Sequence, residues 1–195
     1  MNHYFIENPK LLTDERVLEL NIFDRHYKFL SNNGLFSCDK VDDASITLLQ
    51  NIPPLPRDST LLDLGCGYGT LGIVLAKTYG VALTMADINS IALDYAAKNA
   101  KLNGVTATTI HSNSFENISA TFDNIVLNPP IHAGKDVMYN MYEQSAAHLH
   151  SGGRLFIVIQ KKHGAESTIA KLKTLFRVEV LYKKKGCYVV QAEVM

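Results

Sequence analysis

Five largely apolar runs, spread over the last two-thirds of the chain, constrain its fold more than any other feature. They are TLLDL (60–64), VALTMAD (81–87), VTATTI (105–110), FDNIVLN (122–128) and GRLFIVIQ (153–160). A strand with one wet face alternates polar and apolar residues, whereas a strand covered on both faces reads as a nearly continuous apolar segment. Between the runs lie amphipathic stretches such as TLGIVLAKTYG and INSIALDYAAKNAKLNG. In the second, Ile91, Ala92, Tyr95, Ala96 and Asn99 recur at helical spacing, and Gly104 stands where a helix would end. This alternation predicts an α/β architecture: a Rossmann-like, doubly wound, mostly parallel sheet with helices on both faces.

The two ends of the chain depart from that rhythm. RVEVLYKK and GCYVVQAEV alternate around KKKG, which predicts an antiparallel pair closing one edge of the sheet. At the front, RVLELNIFDRHYKFLSNNG alternates on either side of FDRH and predicts a hairpin. DKVDDASITLLQNI then reads as a helix and PPLPRD as a stiff linker. The expected organisation is a hairpin-and-helix extension over residues 1–55, packed on a core unit over residues 56–195.

Composition sets limits on this picture. With 195 residues, 47% of them hydrophobic, the chain can bury one sizeable core. Cys38, Cys66 and Cys187 are odd in number and show no paired spacing, so no disulfide framework is expected. The seven histidines share no ligand spacing with the cysteines, so no metal site is expected either. No apolar run approaches the ~20 residues of a membrane span, and MNHYFIENPK lacks the charged-then-apolar pattern of a signal peptide. A soluble, cytoplasmic protein is the expectation. The net charge of zero hides an asymmetry: residues 1–130 hold 9 Lys+Arg against 14 Asp+Glu, a balance of −5, and residues 131–195 hold 10 against 5, a balance of +5. The basic excess sits at QKKHG (Lys161, Lys162, His163) and YKKKG (Lys183, Lys184, Lys185). On one face the two runs would attract phosphate; apart, each is an ordinary solvated turn.

Two motifs carry chemistry. LLDLGCGYGTLGIVLA sets Gly65, Gly67 and Gly69 between a strand and a helix, where missing Cβ atoms permit a tight turn and a close ligand. Asp87 ends the next strand, where a carboxylate can accept both hydroxyls of a ribose. Dinucleotide sites use G-x-G-x-x-G, but this chain has G-x-G-x-G, with Thr70 at the last dinucleotide glycine position. Asp63, two residues before the first glycine, suits an ammonium better than a phosphate. The pattern therefore favours a nucleoside carrying an amino acid over NAD. The second motif is VLNPPIHAGK, where Pro129 and Pro130 forbid both a central strand and a helix. By itself it is a strand end followed by a rigid turn.

Together, DLGCGYG, ADIN and NPPI resemble the class I S-adenosylmethionine-dependent methyltransferases. With HYF.ENP, GLFS....D (Gly34 to Asp42), NPPIHAGK, VIQKKHGA and KKKG.YV added, the chain resembles the small-domain methyltransferase family. That family includes the bacterial small-subunit rRNA guanine-N2 methyltransferase C and single-domain relatives. The resemblance implies S-adenosylmethionine as cofactor, with Asp63, Gly65, Cys66, Gly67 and Gly69 around its methionine part. It implies Asp87 at the ribose and Ile88 against the adenine. Asn113 stands where many relatives carry an aspartate for the adenine amine, and Phe36 either closes over the cofactor or belongs to the core.

For the Asn-Pro-Pro peptide, the resemblance implies a grip on an exocyclic amine. The lone pair of such an amine is delocalised into its ring, and one acceptor per N–H frees it for attack. The Asn128 side-chain oxygen and the Pro129 carbonyl are two such acceptors, and Pro129 and Pro130 stiffen the mount. Ile131 would then face the base. Lys135, Lys161, Lys162 and Lys183 to Lys185 are the candidate RNA contacts, and small-subunit rRNA or a ribosomal particle is the expected partner. Adenine, a protein glutamine or a small molecule remain open as acceptors, as does a non-catalytic RNA-binding module with the same fold.

Overall fold

The computed structural model describes residues 15–195, so the HYF.ENP segment lies outside the described residues. Seven strands form the central sheet in the order β5-β4-β3-β6-β7-β9-β8. They are β3 (Thr60–Leu64), β4 (Ala82–Asp87), β5 (Ala107–His111), β6 (Phe122–Leu127), β7 (Leu149–Gln160), β8 (Arg177–Lys184) and β9 (Cys187–Glu193). The first five pair in parallel, whereas β9 runs antiparallel to both β7 and β8. The chain winds outward from β3 through β4 to β5, then returns to β6 on the other side of β3. This reversal between β3 and β6 opens a crevice at the carboxyl ends of the strands.

Leu61, Leu62, Ile125, Val126, Leu127 and Leu155 through Val158 are almost wholly buried, as strands covered on both faces must be. The covering helices are α2 (Thr70–Tyr79), α3 (Ser90–Leu102), α4 (Lys135–Ala147) and α5 (Ala165–Leu172). The amphipathic stretches named from the sequence do not include the one between β6 and β7. The structure places α4 there, as the crossover that a parallel pair requires. Its buried face is Met138, Met141, Tyr142 and Ser145, an i, i+3, i+4, i+7 stripe masked by polar neighbours.

The predicted hairpin is β1 (Arg16–Ile22) with β2 (Arg25–Ser31), and the predicted helix is α1 (Asp43–Asn51). Hydrophobic residues of the hairpin, α1, α2 and α3 share one buried cluster. Two asparagines of α3 and its C-terminus act as a surrogate strand for the free edge of β2. The Asn99 amide accepts from Leu30 N (2.7 Å) and donates to Leu30 O (3.0 Å), and Asn103 does the same for Lys28 (3.2 and 2.7 Å). An edge that would otherwise expose bare backbone groups is thereby closed. Asn99, read from sequence as a position on the packing stripe, is buried for its hydrogen bonds.

Candidate active site

The parallel register brings separate loops to one edge of the sheet. Leu64 pairs with both Ala86 and Leu127, and Asp87 pairs with His111. The glycine loop, Asp87-Ile88, Ser112-Asn113 and Asn128-Pro129 therefore follow one another along the strand ends. They line a cleft of about 290 Å³ whose far wall is Gln160 and His163.

Gly65 and Gly67 have φ of +67° and +56°, the left-handed region that glycine enters without strain, and no atom lies within 4 Å of where a Cβ would stand. The turn thus exposes bare backbone to the cleft. Asp87 holds the loop from below: its Oδ2 accepts from Gly67 N (2.8 Å) and its Oδ1 from Asn89 N (2.9 Å). Gly69 is not among the lining residues. It caps α2 with φ +93°, and a side chain there would meet Ile73 Cδ1 at 2.8 Å and Met85 Sδ at 3.0 Å, so its demand is close packing.

Asp63 is 1% exposed and lines the floor of the cleft. Its Oδ2 accepts from Gly72 N at 2.8 Å, in the first turn of α2. Burial pushes its carboxyl up to about 7, against the opposing pull of the Gly72 hydrogen bond and with a further push from the Asp87 charge. An acid so starved of solvent can be ionised by a cation brought against it. Burial also pushes the Cys66 thiol well above its usual range, with the charges of Asp63 and Asp87 adding to the effect, which favours the neutral thiol.

At the other side of the crevice, β6 ends at Leu127 and the two prolines carry the chain into a 3₁₀ turn, Ile131–Ala133. Asn128 Nδ2 donates to Asp42 Oδ2 (2.9 Å) and to Ser45 Oγ (3.1 Å). Both donor hydrogens are thus spent on the side of α1, and among the described residues no donor bonds Oδ1. Pro129, Pro130 and Ile131 line the cleft beside it, with His132.

Phe36 is 57% exposed and lines the cleft, which excludes the core alternative for it. Asn113 also lines the cleft, and its Nδ2 donates to Glu116 Oε1 at 3.0 Å, leaving its oxygen as the outward acceptor. Lys135, Lys161, Lys162 and Lys183 to Lys185 do not line the cleft; all six are exposed. The two lysine runs do meet, because Lys161 N donates to Gly186 O at 2.7 Å and ties the turn after β7 to the β8–β9 turn. His163, next to them, reaches the cleft wall, and its imidazole is pushed below its usual range by burial and by Lys162 and His132. Asp42 and Ser45 are the residues that sequence reading missed. Asp42 appears there only as the last letter of GLFS....D, and nothing local announces a partner 86 residues away.

The cleft thus brings together a buried carboxyl at Asp63, carboxylate oxygens at Asp87, bare glycine backbone, and the side chains of Ile88 and Asn113. Comparisons with known proteins place the chain in a family. Residues 26–191 match the family model described as methyltransferase small domain. The uncharacterized protein YbxB of Bacillus subtilis is 39% identical over 98% of both chains. Ribosomal RNA small subunit methyltransferase C of Aeromonas hydrophila is 38% identical over 69% of this chain and 40% of its own length. Among solved structures, the Thermus thermophilus 16S rRNA N2 G1207 methyltransferase, in complex with AdoMet and guanosine, matches with a TM-score of 0.84 at 31% identity. The match covers 96% of this chain and 52% of that one, so the chain spans about half the length of these rRNA methyltransferases. The fold, the glycine-lined cleft and these likenesses together make the chain a member of the methyltransferase small-domain family, within the class I S-adenosylmethionine-dependent methyltransferases.

Proposed function

We propose that this chain methylates an exocyclic amine, the N2 of a guanine in small-subunit rRNA. The observation that carries the reading is the locked amide of Asn128: with both Nδ2 hydrogens held by Asp42 and Ser45, its oxygen is left to accept from a substrate amine. S-adenosylmethionine, when bound, supplies an electrophilic methyl group. Asp63 answers a positive charge, Asp87 presents carboxylate oxygens to ribose hydroxyls, and the bare Gly65–Gly67 backbone admits the ligand closely. Asn128 and the Pro129 carbonyl take one N–H each, which pyramidalises the amine and frees its lone pair. The amine sheds its proton as positive charge develops, so no strong base is required at the outset.

Guanine is favoured by two relatives, one named for small-subunit rRNA and one whose structure is described with guanosine and an N2 target. Ile131 gives apolar contact to a base where an aromatic would stack. The joined turns bearing Lys161, Lys162 and Lys183 to Lys185 would draw in a phosphate backbone, and exposed Lys135, shortly after the Asn-Pro-Pro peptide, is a further candidate contact. Inside a helix the guanine N2 faces the minor groove, so an unpaired or extruded nucleotide is required, at about a few kcal/mol.

Nucleoside mass spectrometry of rRNA from a deletion strain tests the proposal. Loss of one N2-methylguanosine from the small subunit is the expected result; an unaltered profile rejects guanine N2. Asn128→Ala should abolish transfer while leaving S-adenosylmethionine affinity within a few-fold by calorimetry.

A further inference from the structure

The catalytic amide does not orient itself. Its Nδ2 faces Asp42, whose Oδ2 accepts at once from Asn128 (2.9 Å) and from Ser45 N (2.8 Å), the second bond being the N-terminal cap of α1. Ser45, one turn into the same helix, takes the remaining Nδ2 hydrogen at 3.1 Å. A carboxylate can only accept, so a turned-over amide would set Oδ1 against Asp42 Oδ2, lone pair against lone pair. The flip state that frees Oδ1 is thus imposed by α1.

We infer that Asp42 is a positioning residue for the amine methyl transfer, orienting the Asn128 amide and polarising it so that Oδ1 becomes a stronger acceptor. The inference rests on the reading of Asn128 given under Proposed function. An N–H bond to an ionised oxygen is shorter and stronger than a neutral one, and it draws electron density through the amide towards Oδ1. Asp42 and Ser45 line the cleft beside Asn128, and the acceptor responds to the charge of Asp42 through the amide. The helix holds that charge in place, since a carboxylate at an N-terminus meets the positive end of the helix dipole. Asp42 and Ser45 also lie 86 and 83 residues upstream of Asn128, so a helix outside the central sheet completes the site.

The side-chain chemistry separates orientation from scaffolding. Serine is as good an N-cap as aspartate but too short to reach Nδ2, so Asp42→Ser keeps α1 and releases the amide. Asp42→Asn keeps a neutral acceptor in the same place. Methyl transfer from labelled S-adenosylmethionine to small ribosomal subunits of the deletion strain gives the rates. Asp42→Ser should lower kcat about ten- to hundredfold, the range of a charge-assisted hydrogen bond, with S-adenosylmethionine Kd and melting temperature near those of the unmutated protein. Asp42→Asn, which keeps the orienting acceptor and loses the charge, should recover part of that loss and not all of it.

A second measurement is independent of turnover. In the unmutated protein the Asn128 side-chain amide protons should exchange slowly and appear downfield by NMR; in Asp42→Ser they should move to ordinary shifts. Unchanged resonances overturn the inference. So does an unaltered kcat in Asp42→Ser when Asn128→Ala is inactive, or a loss matched in full by Asp42→Asn and by cofactor affinity. If Asn128→Ala itself turns over normally, the amine-gripping reading falls first, and this inference with it.

Discussion

The unusual proton affinity of Asp63 makes a quantitative prediction about cofactor binding. In the free protein burial raises its carboxyl from 3.8 to about 7. A cation placed over it favours the ionised form, so binding below that point must expel a proton. The dissociation constant for S-adenosylmethionine should then rise about tenfold per pH unit below 7 and flatten above it, until the ligand ammonium itself begins to titrate near ~8. Between pH 7.5 and pH 5.5 the expected loss is about twentyfold. The same shift fixes the sign for stability. A folded value raised above the unfolded one stabilises the free protein at low pH, and that contribution is lost as pH climbs through 7. The shift of roughly three units corresponds to about 4 kcal/mol. Free protein should therefore melt lower at pH 8 than this group alone would allow at pH 5, and the cofactor should restore the difference. Titration calorimetry from pH 5.5 to 7.5, in two buffers of different ionisation enthalpy, reads both affinity and proton release. Asp63→Asn should bind weakly and without that slope, which separates Asp63 from the cleft histidines. A flat affinity in the unmutated protein, or the same slope in Asp63→Asn, refutes the assignment.

Gly72 should be intolerant of a methyl group, because a Cβ would lie 2.7 Å from Leu83 Cδ1 and 3.0 Å from Asp63 Oδ2. Gly72→Ala gains about 1 kcal/mol of helix propensity but overpacks the site by about 1–3 kcal/mol; cofactor affinity should fall even where urea melts show little change. Asn99→Ala should cost about 2–4 kcal/mol in a denaturant titration, since it orphans Leu30 N, Leu30 O and Tyr68 O together. Replacing Lys183, Lys184 and Lys185 by alanine should flatten the dependence of log K on log salt for RNA binding by about two to three, with cofactor affinity unchanged. An undiminished salt slope would remove these lysines from the interface.

The features legible in the sequence are those set by neighbours along the chain. Apolar runs name strands buried on both faces, Gly65 and Gly67 name a turn that only glycine enters freely, and two prolines name a strand that must stop. Asp87 and Asn128 stand at strand ends in any register, so their place at the cleft follows once the sheet is parallel. Helix α4 escaped because its apolar stripe is thin and polar residues crowd it, although its i, i+3, i+4, i+7 pattern is visible afterwards.

What the tertiary structure alone decided are quantities that depend on groups distant in sequence. The meeting of the two lysine turns rests on one bond from Lys161 N to Gly186 O, which exists only because β9 lies beside β7. The proton affinity of Asp63 comes from the water excluded around it, and a letter in DLGCG says nothing of solvent. The direction of the Asn128 amide depends on a carboxylate at the start of α1, and packing of that helix against the sheet brings the two within 2.9 Å. Periodicity and turn chemistry act over a few residues and can be read from the chain; burial and long-range hydrogen bonds arise only when the chain has closed on itself.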